Sequence, residues 1–287
     1  MEGLRLLKFR YFLEAIKFEH TVFALPFAYV AMVLAAGGWP GWRVAIWVTL
    51  AMVGGRTLAM STNRLVDRAI DARNPRTAGR HLPRGLLKPV EVGAMAAASA
   101  LLLLVSAWQL NPLCLKLAPL AMLFLVGYHY TKYFTWTSHW VLGFTDGIAA
   151  AGGWIAVREA LDLPALLLWF TVTVWIAGFD LIYACQDVEF DRAERLYSFP
   201  ARFGIAAALS AARACHLLTM LALAAVGWTL ALGWGYWAGW VAVVGLLTYE
   251  HSLVSPTDLS RVDIAFFNVN GYIAVIVLVS TVLGLWR

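Results

Sequence analysis

The chain has 287 residues, of which 61% are hydrophobic and 14% are charged, and its mean hydropathy is +0.72. Soluble domains carry about 25% charged residues, so this composition excludes an ordinary water-soluble protein and indicates that the lipid bilayer is the solvent. The formal net charge of +5 is explained below by membrane topology, and it does not indicate a nucleic-acid partner.

Apolar segments of membrane-spanning length follow one another along the whole chain. A helix needs about 20 mainly apolar residues to cross a bilayer, and about nine segments meet this need. In chain order they are His20–Gly37, Trp42–Thr62, Val90–Leu110, Leu113–Thr131, Trp140–Val157, Pro164–Tyr183, Ala206–Leu232, Trp234–His251 and Ile264–Leu285. Because no alternation of short strands indicates a closed barrel, a helical bundle is the architecture that satisfies the backbone in lipid. The sequence predicts an all-α integral membrane protein, folded as one domain over residues 1–287.

Positive charge is distributed unevenly between the predicted loops. If the N-terminus is cytoplasmic, the N-terminal tail and the loops after segments 2, 4, 6 and 8 share one side of the membrane. That side holds nearly all the Lys and Arg residues. The positive-inside rule then places the N-terminus in the cytoplasm and the C-terminus outside. We therefore expect a multi-pass protein of the plasma (inner) membrane.

The first polar cluster follows the second apolar segment. Asn63, Asp67 and Asp71 are spaced four residues apart, so on a helix their side chains lie along one face. Carboxylate and amide oxygens are hard ligands that suit Mg²⁺. Seven basic residues follow within 64–88, more than topology alone requires.

A second acidic cluster, Asp187 and Asp191, follows the sixth segment, 120 residues after Asp67 and Asp71. This repetition predicts two related half-bundles, with active-site loops at about residues 63–89 and 184–205. If the two acidic pairs face each other, their charge at a membrane boundary requires cations, which bound Mg²⁺ would supply. Because Mg²⁺ commonly binds one or two carboxylates plus substrate phosphates, we expect a diphosphate that the arginine-rich loop also holds.

Further motifs accompany these clusters. They are Arg56–Asn63, Arg76-Thr77-x-x-Arg80 with Leu82-Pro83-x-Gly85, Tyr130–Thr135 before Leu142-Gly143, Ser198 with Arg202-Phe203-Gly204, and Phe266-Phe267-Asn268-x-Asn270-Gly271. Together with the two Asp pairs they resemble the UbiA superfamily of intramembrane aromatic prenyltransferases, over nearly the whole chain.

The resemblance implies a role for each matching residue. It implies that magnesium is held by Asn63, Asp67, Asp71, Asp187 and Asp191, and that the diphosphate is held by Arg76, Arg80 and Lys132. Arg56, deep on the membrane side of Asn63, would face the aromatic acceptor, since a buried arginine needs a partner such as a carboxylate.

The implied reaction is the magnesium-dependent transfer of a polyprenyl group from a polyprenyl diphosphate to an aromatic acid in quinone biosynthesis. Tyr183 lies one helical turn before Asp187, where its ring can shield an allylic cation. Asp146, an ionisable residue within an apolar segment, is the candidate that accepts the proton of the acceptor's hydroxyl.

The sequence leaves two candidates for the aromatic acceptor. Tyr133, His81 and His139 depart from the commonest family pattern, and segments such as 19–21 and 249–251 resemble a menaquinone-pathway branch. A dihydroxynaphthoate and 4-hydroxybenzoate both carry a carboxylate and a phenolic ring, so both stay as candidates.

Two other classes of membrane protein share some of these features. A secondary transporter also has repeated half-bundles and intramembrane acids, but its charged sites are expected inside broken helices rather than at helix ends beside an arginine-rich loop. An intramembrane CDP-alcohol phosphotransferase also places paired Asp residues at a membrane face, but its Asp-Gly-x-x-Ala-Arg run is missing from this sequence.

Overall fold

The structure is a computed structural model that describes residues 11–12, 14–15 and 21–286. Its helices are α1 (Thr21–Ala36), α2 (Trp42–Asp71), α3 (Pro89–Leu110), α4 (Pro112–Gly127), α5 (Ser138–Arg158), α6 (Leu163–Ala184), the short α7 (Val188–Ala193) and α8 (Phe199–Phe203), α9 (Ile205–Thr229), α10 (Trp234–Ser252) and α11 (Asn270–Gly284). Within the described residues the one β-type feature is an isolated bridge between Ser255 and Asp258. The all-α prediction is confirmed.

Nine of the described helices are long, and each overlaps one of the nine predicted segments; a π-helical turn (Ile264–Val269) precedes α11 within the ninth segment. Seven helical segments are long and apolar enough to cross a membrane by length and composition. The other two are α1, whose apolar part Leu25–Ala36 is shorter, and α10. Nine is therefore an approximate count of spans. His20, at the start of the first predicted segment, and the basic residues of the N-terminal tail up to Lys17 lie outside the described residues.

Helix α2 is longer than its predicted span, which ended at Thr62. Its 30 residues extend about 45 Å at 1.5 Å per residue, whereas the hydrocarbon core of a bilayer is about 30 Å thick. The last turns of α2 therefore project beyond the apolar zone. Asn63, Asp67 and Asp71 lie on this projecting end, as the spacing of four predicts.

The packing of the helices repeats along the chain. In the first half α2 packs on α3, and in the second half α6 packs on α9. Helices α1 and α5, which open the two halves, pack against each other. Helix α11 packs on both α10 and α1 and closes the bundle. The predicted division into two related halves is confirmed, and it brings the ends of α2 and α6 to one site.

Glycines allow helix α5 to approach its neighbours closely. A Cβ atom at Gly143 would lie 2.1 Å from the backbone oxygen of Thr173 in α6, and one at Gly153 would lie 2.3 Å from the backbone oxygen of Ala28 in α1. Small residues at such contacts are the usual means of close helix packing in membranes, where van der Waals contact drives association. Helix α5 is thus held tightly between the two halves.

We expect Gly143→Ala to destabilise the bundle by about 1–3 kcal/mol, the usual cost of overpacking, because its methyl group requires α5 and α6 to separate. Gly152→Ala is the matched control on the same helix, since a Cβ atom there has no neighbour within 4 Å. Thermal unfolding of both variants in the same detergent measures the difference. Equal melting temperatures would show that the α5–α6 contact is not under steric constraint.

Candidate active site

A cavity of about 290 Å³ lies between the ends of α2 and α6. Its lining includes nine of the eleven residues that the sequence analysis selected, from both halves of the bundle: Asn63, Asp67, Asp71, Arg76, Arg80, Lys132, Tyr183, Asp187 and Asp191. Arg56 and Asp146 do not border it. The two acidic clusters, separated by 120 residues in sequence, therefore face one space.

The first acidic cluster is buried at the end of α2. Asp67 and Asp71 are only 4% and 5% exposed. Oδ2 of Asp67 accepts a hydrogen bond from Asn63 Nδ2 (2.7 Å) and pairs with Lys132 Nζ (2.6 Å). Arg80 Nη1 donates to both oxygens of Asp71, at 2.6 and 2.7 Å. Within the part of the chain that the structure describes, Oδ1 of Asp67 is buried and makes no hydrogen bond, so one carboxylate oxygen of this cluster lacks a ligand or donor there.

The second acidic cluster is held by the loop that follows α2. Arg76 binds Asp187 through Nε (3.1 Å) and Nη2 (2.5 Å), and its Nη1 donates to the hydroxyl of Tyr183 (2.8 Å). Burial lowers the pKa of Arg76, but the hydrogen bond and charge of Asp187 outweigh burial and raise the pKa above its ordinary value. Asn74 Nδ2 also donates to Asp187 Oδ1 (3.3 Å). This loop therefore bridges the two halves.

Each cation of the site is thus paired with one carboxylate. Lys132 neutralises Asp67, Arg80 neutralises Asp71, and Arg76 neutralises Asp187. In the described part of the chain, no three His, Cys, Asp or Glu side chains are close enough to hold a single ion. The acidic pairs face each other across a cavity, and cations stand between them.

The donor set nevertheless fits Mg²⁺. Carboxylate oxygens and the amide oxygen of Asn63 are the hard ligands that Mg²⁺ prefers. Asp67 Oδ1 is available, and Asp67 Oδ2, Asp71 and Asp187 are held by cations that a diphosphate also attracts. These residues could hold the ion together with a phosphate-bearing substrate, which is the way proteins commonly bind Mg²⁺.

Several cavity residues were missed by the sequence analysis or left without a role. Asn74 orders the loop, because its Oδ1 accepts a hydrogen bond from the backbone N–H of Arg76 (2.9 Å). The Asn-Pro pair at 74–75 is a turn signal that could have identified it. His139 and Asp180 line the cavity as a hydrogen-bonded pair. Asp180 lies on α6 seven residues before Asp187, which follows that helix in a short 3₁₀ helix (Cys185–Asp187), and both side chains line the cavity.

Arg56 and Asp146 lie outside the cavity lining. Arg56 lies seven residues before Asn63, about 10 Å deeper along α2. The charge of Arg56 acts on the Asp146 carboxylate, and both charges act on Tyr128, which does line the cavity. Asp146 therefore lies within reach of the charges of Arg56 and Asp180, but it does not border the cavity.

Comparison with known proteins agrees with this arrangement. The sequence model of the UbiA prenyltransferase family matches residues 24–272. The chain belongs to the UbiA prenyltransferase family. This membership confirms the predicted enzyme class, a prenyltransferase, and favours it over the transporter and phosphotransferase alternatives.

The similarity to known UbiA family members covers most of this chain. A 4-hydroxybenzoate octaprenyltransferase of Aeromonas salmonicida is 33% identical over 88% of the chain and 87% of its own length. The apo structure of a UbiA homologue from Aeropyrum pernix is 32% identical, has a TM-score of 0.84, and is covered over 98% of its length by 92% of this chain. A UbiA homologue from Archaeoglobus fulgidus, solved with GPP and Mg²⁺, shares the fold at 18% identity with a TM-score of 0.74, over 96% of this chain and 100% of the homologue.

Proposed function

We propose that this membrane protein transfers a polyprenyl group from a polyprenyl diphosphate to an aromatic acid, with Mg²⁺ as its cofactor. The observation that carries the proposal is the cavity in which carboxylates from both half-bundles are paired one to one with Lys132, Arg80 and Arg76. Such a set matches a diphosphate and its metal ions, because the cations bind phosphate oxygens and the carboxylates bind the metal. The Archaeoglobus fulgidus homologue that was solved with GPP and Mg²⁺ supports the same pairing of ligands.

The residues act first on the leaving group. Bound Mg²⁺ would neutralise charge that develops on the diphosphate as the allylic C–O bond breaks. The same charge attracts Arg76, Arg80 and Lys132 away from their carboxylate partners. Their release leaves the oxygens of Asp67, Asp71 and Asp187 available as ligands. Substrate binding would therefore replace each ion pair of the free site by two new contacts, cation to diphosphate and carboxylate to Mg²⁺. No buried charge would be left unpaired.

An aromatic wall borders the place where the allylic cation forms. The ring of Tyr183 contacts the rings of Phe266 and Phe267, with centroid distances of 4.2 and 6.1 Å. Arg76 holds the hydroxyl of Tyr183 at 2.8 Å, which fixes the ring beside Asp187. Aromatic faces stabilise cations and exclude water, and we assign this role to Tyr183.

The acceptor is assigned by its chemistry. We propose a phenolic carboxylic acid that directs its carboxylate toward Arg56 and is bordered by Asn63 on the cavity side. The name of the Aeromonas salmonicida relative favours 4-hydroxybenzoate as the first compound to test. A dihydroxynaphthoate, the acceptor of the menaquinone branch, is the second.

The proposal includes a location for the site. We place the chain in the plasma (inner) membrane as one domain, with its N-terminus in the cytoplasm, because the loops after even-numbered spans carry nearly all the Lys and Arg. The cavity then faces the cytoplasm, where diphosphate and Mg²⁺ are soluble. The prenyl chain would remain in the lipid.

A direct assay tests the proposed function. The full chain in lipid nanodiscs is incubated with geranyl diphosphate, Mg²⁺ and either 4-hydroxybenzoate or 1,4-dihydroxy-2-naphthoate. We expect diphosphate release and a prenylated aromatic product, both abolished by EDTA and restored by added Mg²⁺. Absence of a prenylated product with both acceptors, or product formation in EDTA, would contradict the proposal.

We expect Arg56→Ala to weaken acceptor binding selectively, because Arg56 lies about 10 Å deeper in the bundle than Asn63. Losing a charge-assisted hydrogen bond of about 1.5–3 kcal/mol should raise the acceptor KM roughly 10- to 150-fold at saturating donor. The donor KM should change little. Titration of each substrate separately measures the two constants, and an unchanged acceptor KM would exclude this role for Arg56.

A further inference from the structure

We propose that Asp180, held by His139, is the general base that accepts the hydroxyl proton of the aromatic acceptor. This inference rests on the proposed prenyl transfer and assigns one step of it. It also replaces Asp146, which the sequence analysis selected for this step. The observation that carries it is the hydrogen-bonded pair of Asp180 and His139 in the wall of the cavity.

His139 fixes both its own tautomer and one oxygen of Asp180. The backbone N–H of Phe199 donates to His139 Nε2 at 3.2 Å, so Nε2 carries no proton. The proton of the neutral ring is then on Nδ1, which donates to Asp180 Oδ2 at 2.6 Å. His139 is 5% exposed, and both of its ring nitrogens make hydrogen bonds within the protein. The imidazole is therefore engaged in holding Asp180, whose other oxygen is left for the cavity.

The second oxygen of Asp180 is the free acceptor. Within the described part of the chain, Oδ1 of Asp180 makes no hydrogen bond, and the carboxylate has no Lys or Arg partner. Asp67, Asp71 and Asp187 each face a cation that binds diphosphate in the proposed function. Among the residues that the structure describes, Asp180 and Asp191 are the cavity carboxylates without a salt-bridge cation. Asp191 is assigned to magnesium in the proposed function, so Asp180 is the carboxylate left for the acceptor.

The position of Asp180 suits the acceptor rather than the diphosphate. It lies on α6 one turn before Tyr183, and Asp187 follows α6 in a short 3₁₀ helix (Cys185–Asp187). Asp180 is therefore about 10 Å deeper in the bundle than Asp187. Arg56 lies at a similar depth below Asn63 on α2. An acceptor with its carboxylate toward Arg56 and its hydroxyl toward Asp180 would lie below the diphosphate, with its ring beside the breaking bond. Asp146 faces the charge of Arg56 and does not border the cavity.

The step conserves atoms and charge. The allylic C–O bond breaks, and its electron pair leaves on diphosphate. The hydroxyl proton moves to Asp180 as the ring carbon beside the hydroxyl forms a C–C bond with the prenyl carbon. The ring then regains aromaticity as the proton on that carbon moves to the oxygen, which restores the hydroxyl, and the proton held by Asp180 leaves with the diphosphate. The net products are prenylated phenol, diphosphate and one proton.

The test uses Asp180→Asn in nanodiscs with geranyl diphosphate and two acceptors, 4-hydroxybenzoate and 3-fluoro-4-hydroxybenzoate, whose hydroxyl is more acidic. General bases contribute about 10²–10⁴-fold, so we expect kcat for the first acceptor to fall at least about 100-fold. With the fluorinated acceptor the loss should be at least several-fold smaller, because its proton needs less assistance. Asp162→Asn is the matched control, since Asp162 precedes the first turn of the same helix and should leave both rates unchanged.

Two further variants separate chemistry from folding. His139→Gln retains a donor and an acceptor and should keep most activity, whereas His139→Leu should lose activity with the same dependence on acceptor acidity. Release of diphosphate by hydrolysis of the donor, measured without acceptor, should persist in Asp180→Asn and shows that the donor site is folded.

The outcomes distinguish the two proposals. Full activity of Asp180→Asn, or an equal loss with both acceptors, would overturn the role of Asp180 while prenyl transfer by the unmodified chain still stood. No prenylated product from the unmodified chain would instead overturn the proposed function, and this inference with it. Loss of activity in Asp146→Asn but not in Asp180→Asn would return the role to Asp146.

Discussion

Asp67→Ala is expected to lower kcat/KM for prenyl transfer by roughly 10³-fold or more, which corresponds to about 4 kcal/mol of transition-state stabilisation. Asp67 is the buried carboxylate of the first cluster, and its Oδ1 is the one acidic oxygen there without a donor. Removing it deletes a predicted magnesium ligand and leaves Lys132 without its partner. Product formation by the purified variant at saturating Mg²⁺ measures the loss.

The controls separate loss of chemistry from loss of structure. Asp67→Asn keeps the shape of the side chain and should be almost as inactive, since the negative charge is what a metal requires. Glu189→Ala removes an exposed carboxylate between Asp187 and Asp191 that does not border the cavity, and it should retain activity. All three variants should insert and elute as the unmodified chain does, because Lys132 is partly exposed and can be hydrated. Retained turnover in Asp67→Ala would contradict the assigned site.

The features of the fold that follow from local sequence patterns were predictable. Apolar length located the helices, and the 120-residue offset between the Asp pairs indicated two halves whose acidic ends meet. The exact end of α2 was not predictable from hydropathy, because residues 63–71 are polar and their helix projects beyond the apolar zone. The spacing of Asn63, Asp67 and Asp71 was the better guide, since it reports a helical face rather than burial in lipid.

The acidic residues of the site were predictable, because the same Asp spacing occurs twice in the sequence. The contacts between residues on different helices were not predictable. Nothing in the sequence pairs Arg76 with Asp187, or His139 with Asp180, because the partners are 111 and 41 residues apart. Asp146 and Asp180 cannot be told apart in the sequence, because each is an acidic residue within an apolar segment. Tertiary packing places Asp180 in the lining of the cavity and leaves Asp146 outside it. His139 has no second histidine or cysteine at a metal-binding spacing, and its role depends on Asp180, which tertiary structure brings next to it.

Arg76→Ala is expected to raise the donor KM about 10- to 100-fold and to lower kcat as well. Its guanidinium binds Asp187 through two nitrogens and Tyr183 through the third. It therefore holds the second acidic cluster and Tyr183 in the free site, and in the proposed function it binds the diphosphate once the substrate has displaced Asp187. Arg76→Lys should not restore activity, because a lysine lacks the planar fork that makes two parallel bonds. Diphosphate release as a function of donor concentration, at saturating acceptor, measures both constants.

Arg73 provides the matched control for this prediction, and it separates surface ion pairing from substrate binding. It lies three residues away in the same loop and also binds a carboxylate through two nitrogens, that of Glu194, at 3.0 and 2.7 Å. This pair bridges the same two segments of the chain, but it is exposed and neither residue borders the cavity. Arg73→Ala should therefore leave both kinetic constants nearly unchanged. If Arg73→Ala impaired donor binding as strongly as Arg76→Ala, the loop would act by bridging the halves, and direct binding of diphosphate by Arg76 would be contradicted.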